Sequence, residues 1–271
     1  GLENVKAQIK SLLNRQNLER LRTQNNLPSQ TEFNLHLVFT GNPGTGKTAL
    51  AQRLGDILAD AWMLTLGHVV EVSGTDLIAE YIGSTAPKVE AAVKSALGGI
   101  LFIDEAYALI SHVGVNGRES SASMIAITTL LTQMNKYKGQ FMIIVAGYPE
   151  DMKNLMEFNP GFKSRFRETL HFPNFSSEEL VQIYMKIAEE KHYILADGSK
   201  QVLEKIMHTA PGQHSKSFGN ARFVGNLFEE TLERVANRVA QKHEVTRDDL
   251  ITITPFDIND AAKDFAAQST R

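Results

Sequence analysis

The sequence predicts an α/β protein: a parallel five-stranded sheet sandwiched by helices, followed by a smaller all-helical domain. Three observations carry that prediction. An apolar, β-rich run, Leu35-His36-Leu37-Val38-Phe39-Thr40, leads into Gly41-Asn42-Pro43-Gly44-Thr45-Gly46-Lys47-Thr48 and then into a strong helix start, Ala49-Leu50-Ala51-Gln52-Arg53-Leu54. Beyond it, short apolar runs alternate with helical periodicities, as in parallel strands joined by right-handed crossovers. From Pro173 the alternation stops, and nearly everything after Ser176 is helix-periodic.

In chain order, Gly1 to Asn26 reads as an amphipathic helix, with Val5, Ile9, Leu12, Leu13, Leu18 and Leu21 near helical spacing. Leu27-Pro28-Ser29 ends it. The first strand and the glycine-rich run follow, then a helix to about Ala61. Gly67 to Val72 reads as the second strand, and Ser73-Gly74-Thr75 as a turn with a helix cap. Tyr81-Ile82-Gly83 interrupts the next stretch. Val89, Ala92, Val93, Ala96 and Leu97 share one helical face, which Gly98-Gly99 breaks. Ile100-Leu101-Phe102-Ile103 is continuously apolar, as a strand covered on both faces requires. A Gly- and Ser-containing loop spans Ser111 to Ser120. The following helix carries Ile127, Leu130, Leu131 and Met134 on one side. Phe141 to Ala146 is the fourth strand and Thr169 to Phe172 a short fifth. Ser176-Ser177-Glu178-Glu179 starts a helix with acids in its first turn. A long helix from Asn220 buries Val224, Leu227, Phe228, Leu232, Val235 and Val239. The residues from Ala266 are expected to fray.

Composition narrows the function classes. The chain has 271 residues, 42% apolar and 22% charged, which suits a globular protein of one large or two smaller domains. It has no cysteine, so no disulfide and no cysteine-based metal site. A net charge of -3 argues against a broad nucleic-acid-binding face. No apolar run is long enough to span a membrane and no signal-peptide pattern is present. A cytoplasmic setting is expected. The chain opens at Gly1 without methionine, compatible with a module of a longer protein.

The chemistry gathers at two places. Gly41 to Thr48 is a complete G-x-x-x-x-G-K-[ST] phosphate loop with the strand and helix it requires on either side. Its glycines let the backbone curl so that successive N–H groups point into one cavity, where the helix N-terminus adds partial positive charge. Asn42, Pro43, Gly44, Thr45, Gly46, Lys47, Thr48 and Ala49 are the expected nucleotide contacts. Lys47 is expected on the β- and γ-phosphates, and Thr48 on Mg²⁺. The second place is Asp104-Glu105, at the C-terminal end of the third strand, where ligands of open α/β sheets bind. Adjacent carboxylates there are costly unless a cation is near. Asp104 is therefore the second metal-site candidate, and Glu105 the group to polarise the water that attacks the γ-phosphate.

Together these stretches resemble an AAA+ ATPase, a P-loop NTPase with a helical lid. Within that family, Thr40 to Thr48, Tyr81 to Lys88, Leu101 to Tyr107 and Asn159 to Arg165 resemble the subgroup of CbbX, the red-type Rubisco activase, and the stage V sporulation protein K-like ATPases. The resemblance covers nearly the whole chain. It implies a nucleotide-binding domain over 1–173 and a lid over 174–271, with ATP/ADP and Mg²⁺ as cofactors. It further implies a homo-hexameric ring acting on a protein client; no membrane partner is expected, and the slight acidity and the Tyr81 loop argue against a nucleic-acid partner. Tyr81, with Ile82 and Gly83, matches the pore loop that grips polypeptide. Arg165 matches the arginine finger that reaches the next subunit's nucleotide, with Arg167 as a second candidate. Arg222 matches sensor 2 of the lid; a cation in a helix's first turn is at the unfavourable end of the dipole, which a nearby phosphate would explain.

Two stretches depart from the family's pattern. Sensor 1, often asparagine, is replaced by Ala146-Gly147-Tyr148-Pro149, so that Tyr148 could serve through its hydroxyl. The Ser111 to Ser120 loop lacks the subgroup's charges. The leading reading is thus an ATP-hydrolysing ring machine that remodels a protein client. Two rivals stay open: a nucleic-acid-handling AAA+ motor, and a nucleotide-switched scaffold with little turnover.

Overall fold

Five short apolar runs become the strands of one parallel sheet: β1 (Leu37–Gly41), β2 (Val69–Ser73), β3 (Ile100–Asp104), β4 (Met142–Gly147) and β5 (Glu168–Phe172), in the order β2-β3-β4-β1-β5. The computed structural model describes residues 3–28, 36–79, 83–110, 121–166, 168–210 and 218–268. The chain forms two compact units. One comprises Leu2–Gly41 and Gly46–Phe172; the other comprises Pro173–Arg271 together with Asn42–Thr45 of the phosphate loop.

Around the sheet, the described residues of its own unit form the helices α1 (Glu3–Gln24), α2 (Lys47–Asp60), α3 (Thr85–Ser95), α4 (Ser121–Lys136), α5 (Pro149–Phe158) and α6 (Pro160–Arg165). Side chains alternate across a strand. Leu37 and Phe39 therefore pack in one core with Val5 and Ile9 of α1 and Leu54 and Leu58 of α2. Val38 packs in the other, with Val93 of α3, Leu130 of α4, Leu155 of α5 and Phe162 of α6. Burial on both faces is why β1, β3 and β4 read as unbroken apolar runs; all of β1 and β4 is buried. Fully burying one such side chain contributes about 1.5–3 kcal/mol.

Strand ends differ from the sequence reading by a residue or two. β2 and β4 run on to Ser73 and Gly147 because the ladder continues past the apolar stretch. Leu35, the Ser111 to Ser120 loop, Tyr81, Ile82 and Arg167 lie outside the described residues.

The second unit is built from α7 (Ser177–Glu190), α8 (Ser199–Thr209), α9 (Ala221–Ala240), α10 (Arg247–Ile251) and α11 (Pro255–Gln268). It also carries a two-residue parallel pair, β6 (Ile194–Leu195) with β7 (Thr252–Ile253), which helical periodicity alone does not signal. Ser176 and Glu179 close a capping box on α7. A second box, Thr246 with Asp249, caps the short α10. Asp257, 1% exposed, ties the unit together: it accepts from Arg238 Nε at 3.0 Å and from Thr254 Oγ1 at 2.7 Å. α11 runs to Gln268, past the point where fraying is expected. Among the described residues no helix is long and apolar enough to cross a membrane.

Candidate functional site

The phosphate loop leaves the C-terminal edge of the sheet at the end of β1. Gly46 is the N-cap of α2 in a left-handed conformation (φ 91°), a cap geometry that glycine adopts without strain. Lys47 is the first residue of α2, half-buried, and its Nζ donates to the Gly41 carbonyl at 2.9 Å. Thr48 and Ala49 continue the first turn.

Residues Asn42–Thr45 are held within the helical unit. Thr45 Oγ1 donates to the Asn42 carbonyl at 2.8 Å, and Asn42 Nδ2 donates to Asn174 Oδ1 at 2.8 Å. Gly44 has φ 69°, and a Cβ there would collide with the Gly219 carbonyl. Any side chain at 44 would displace the loop.

Asp104 ends β3, half-buried and in register with Ser73 of β2. Its Oδ1 accepts from the Glu105 amide at 2.9 Å. Glu105 takes the left-handed conformation (φ 46°, ψ 41°), uncommon for a side-chain-bearing residue, and is exposed. Such backbones cost of order 1–3 kcal/mol and persist where the surroundings over-determine them. Here the turn lets the chain leave the sheet edge directly into a 3-10 turn, 106–109, with the carboxylate outward.

Tyr148 caps α5 just beyond β4. Its ring lies 6.0 Å from that of Tyr107, which belongs to the 3-10 turn after Glu105. Gly147 makes room for this pair: a Cβ there would come within 2.9 Å of Tyr107 Cδ1 and 2.8 Å of Met152 Sδ. Burial, then the carboxylate of Glu105, pushes the Tyr107 phenol up to about 12, so it stays protonated and able to donate at neutral pH. Sequence reasoning assigns Tyr107 nothing; only its place after Asp104-Glu105 could have drawn notice.

Arg165 sits elsewhere. It is the last residue of α6, a helix opened by Pro160 and capped by Asn159, whose side chain accepts from the Gly161 and Phe162 amides. Arg165 Nη1 donates to the Gly161 carbonyl at 3.0 Å and Nη2 to Asn135 Oδ1 at 2.8 Å. Its charge joins burial in holding His36 down at about 4. His36 immediately precedes β1, so Arg165 stands near the N-terminal edge of the parallel sheet, opposite the phosphate loop. β1 alone separates those edges by about 16 Å at ~3.3 Å per residue. Asn135, on α4, has no motif that would have singled it out.

Arg222 is exposed in the first turn of α9, in the helical unit. Gly83 is exposed with φ 92°, and among the described residues no atom lies within 4 Å of where its Cβ would stand. The structure thus gathers Lys47, Thr48, Asp104, Glu105 and Tyr148 on one edge of one sheet and sets Arg165 on the other.

The donors fit magnesium: a Thr48 hydroxyl and an Asp104 carboxylate are hard oxygens, and Mg²⁺ usually takes one or two protein ligands plus phosphate oxygens and water. Among the described residues no cluster of three or more His, Cys, Asp or Glu forms a self-sufficient metal cage.

Comparison with known proteins shows the family. Residues 37–174 match the family model of the ATPase family associated with various cellular activities (AAA), and 176–268 match that of an AAA lid domain. The chain is 35% identical to Stage V sporulation protein K of Bacillus subtilis (strain 168), over 96% of this chain and 79% of that one. It is 37% identical to the chloroplastic ribulose bisphosphate carboxylase/oxygenase activase of Cyanidioschyzon merolae, over 95% of this chain and 86% of the relative. Among solved structures, the FIGL-1 AAA domain in complex with ADP is similar with a TM-score of 0.56 and 18% identity, covering 87% of this chain and 76% of that one. At that identity the likeness speaks for the fold alone.

Proposed function

The chain belongs to the AAA family of ATPases, and from that premise we propose a ring machine that spends ATP hydrolysis on remodelling a protein client. The observation that carries the reading is the shared sheet edge: a phosphate loop at the end of β1 and an acid pair at the end of β3, two strands away. On this reading the loop amides of 42–49 and Lys47 hold the phosphates. Thr48 and Asp104 would hold Mg²⁺, which when bound would supply neutralisation of phosphate charge. Glu105 polarises the attacking water. Tyr148 stands at the sensor 1 position, Arg222 at sensor 2, and Arg165 serves a neighbouring subunit in a homo-hexamer. ATP as fuel suits a cytoplasmic setting.

Nucleotide affinity tests the site directly. Lys47→Ala removes a charge-assisted hydrogen bond worth about 1.5–3 kcal/mol, so calorimetric titration should show ATP binding weakened by about 10- to 150-fold. Unchanged affinity would remove Lys47 from the phosphates.

The remodelling part rests on Tyr81, Ile82 and Gly83 matching a pore loop, and on an aromatic side chain being a sequence-tolerant handle for polypeptide. The similarity to a ribulose bisphosphate carboxylase/oxygenase activase makes that enzyme the first client to try. Tyr81→Ala should keep basal phosphate release within about twofold, since its effect lies outside the transition state for hydrolysis, while client reactivation is lost. Normal reactivation by this variant would refute the pore-loop assignment. The same assay with added nucleic acid addresses the rival motor reading, which requires stimulation.

A further inference from the structure

Asn220 is fully buried, and it is strained. Its backbone (φ 48°, ψ −122°) lies in a region that side-chain-bearing residues rarely enter. Its side chain supplies the compensation. Nδ2 lies 3.2 Å from the Pro43 carbonyl, 3.0 Å from Asn174 Oδ1 and 3.0 Å from the Phe218 carbonyl, while Oδ1 accepts from the Phe175 amide at 2.9 Å. An amide NH₂ carries two hydrogens, so three acceptors share them. The next residue, Ala221, donates its backbone N–H to the Gly44 carbonyl at 3.1 Å.

Three successive carbonyls of the phosphate loop are therefore engaged: Asn42 by Thr45 Oγ1, Pro43 by Asn220 Nδ2, and Gly44 by Ala221 N. In a planar trans peptide the C=O and the following N–H point in opposite directions. Engaging the Pro43 carbonyl turns the Gly44 N–H the other way, and engaging the Gly44 carbonyl does the same for Thr45 N–H. Those N–H groups are the ones a phosphate loop must aim inward.

We propose that Asn220 is a positioning residue for the phosphate loop: its buried side-chain amide, and the strained turn that delivers Ala221 N–H, orient the Gly44 and Thr45 amides toward the anion. The orientation of a loop at positions 42–45 is thus set by a residue about 175 positions later. The nucleotide reading above enters only in the consequence, since peptide orientation can be measured without nucleotide.

Two variants separate the parts. Asn220→Gly removes the side chain and relaxes the backbone, because glycine tolerates this conformation. Asn220→Asp keeps the shape but turns a donor serving three oxygens into an acceptor. Residual dipolar couplings of the Gly44 and Thr45 amides, in nucleotide-free protein, should change in both, while those of α8 and the middle of α9 stay as in the parent. ADP affinity should fall at least about tenfold in the glycine variant and further in the aspartate one, with kcat at saturating ATP within about threefold, as loss of a ground-state positioning contact requires. Should Asn220→Asp not fold, Asn174→Ala, which leaves Asn220 in place and removes the shared Oδ1, should shift the same couplings. Unchanged loop couplings would overturn the proposal, as would changes spread through α8 and α9. Shifted couplings in the variants of a parent that itself binds no ADP would uphold the positioning and sink the nucleotide reading instead.

Discussion

Glu105→Gln should bind ATP like the parent and hydrolyse it at least about 10²-fold more slowly, the usual scale of a lost general base. The substitution is isosteric, so the left-handed turn at 105 and the Glu105 N–H to Asp104 Oδ1 bond are kept. What disappears is the ability to take a proton from water. Asp104 still accepts and still presents hard oxygen to a cation. The phosphate-loop residues 42–48 are untouched, so affinity should stay within about threefold. The neighbouring Tyr107 phenol is held protonated and cannot replace the base. Steady-state phosphate release and calorimetric titration on the same preparation test this together. Turnover within about fivefold of the parent would take Glu105 out of the reaction.

Arg165→Ala should be comparably damaging by a different route. A guanidinium supplied to a γ-phosphate in trans is worth about 10³–10⁵ in rate. Arg165 stands near the end of the sheet opposite Lys47, and no arginine side chain spans the length of β1. On the proposed ring reading, its contribution would reach another subunit's nucleotide across a head-to-tail contact. Its bonds to the Gly161 carbonyl and Asn135 Oδ1 hold the guanidinium in one plane, which lowers the entropy lost on meeting a phosphate. Arg165→Ala alone, and Glu105→Gln alone, should bind ATP and turn over poorly. Mixed at fixed total concentration, after subunit exchange is verified, they should recover part of the activity. Some interfaces in mixed rings join an intact Glu105 to an intact Arg165. No recovery in proven mixed rings, or full activity of Arg165→Ala by itself, would shift the role to another residue, Arg167 first.

The sheet was legible because its runs are apolar on both faces, and the phosphate loop because its chemistry needs glycine, lysine and threonine at fixed spacing. Asp104 and Glu105 were legible from their place after a buried run. Other features leave no such mark. Glu105's left-handed turn follows from the exit of the chain at a sheet edge, which no local pattern encodes. Asn135, Asn174 and Asn220 act through side-chain hydrogen bonds that reach across sequence separations of 30, 132 and 177 residues. An asparagine reads the same in a loop, a cap or a buried network, so only the three-dimensional pairing distinguishes these. The short strands β6 and β7 are two residues each, below the length at which alternation can be seen.

The membership of Asn42–Thr45 in the helical unit bears on how this protein can be recombined with its relatives. A chimaera cut at Pro173 looks natural, because the alternation of strands and helices ends there. Such a cut would carry Asn174 and Asn220 away with the graft while leaving Asn42 in the recipient. The donated Asn220 would still find the Pro43 carbonyl, since every sequence supplies a backbone oxygen. Asn174 would not be so tolerant, because its partner at 42 is a side chain. Grafts should therefore take when donor and recipient agree at 42 and 174, and fail as nucleotide binders when they do not, however similar the rest of their helices.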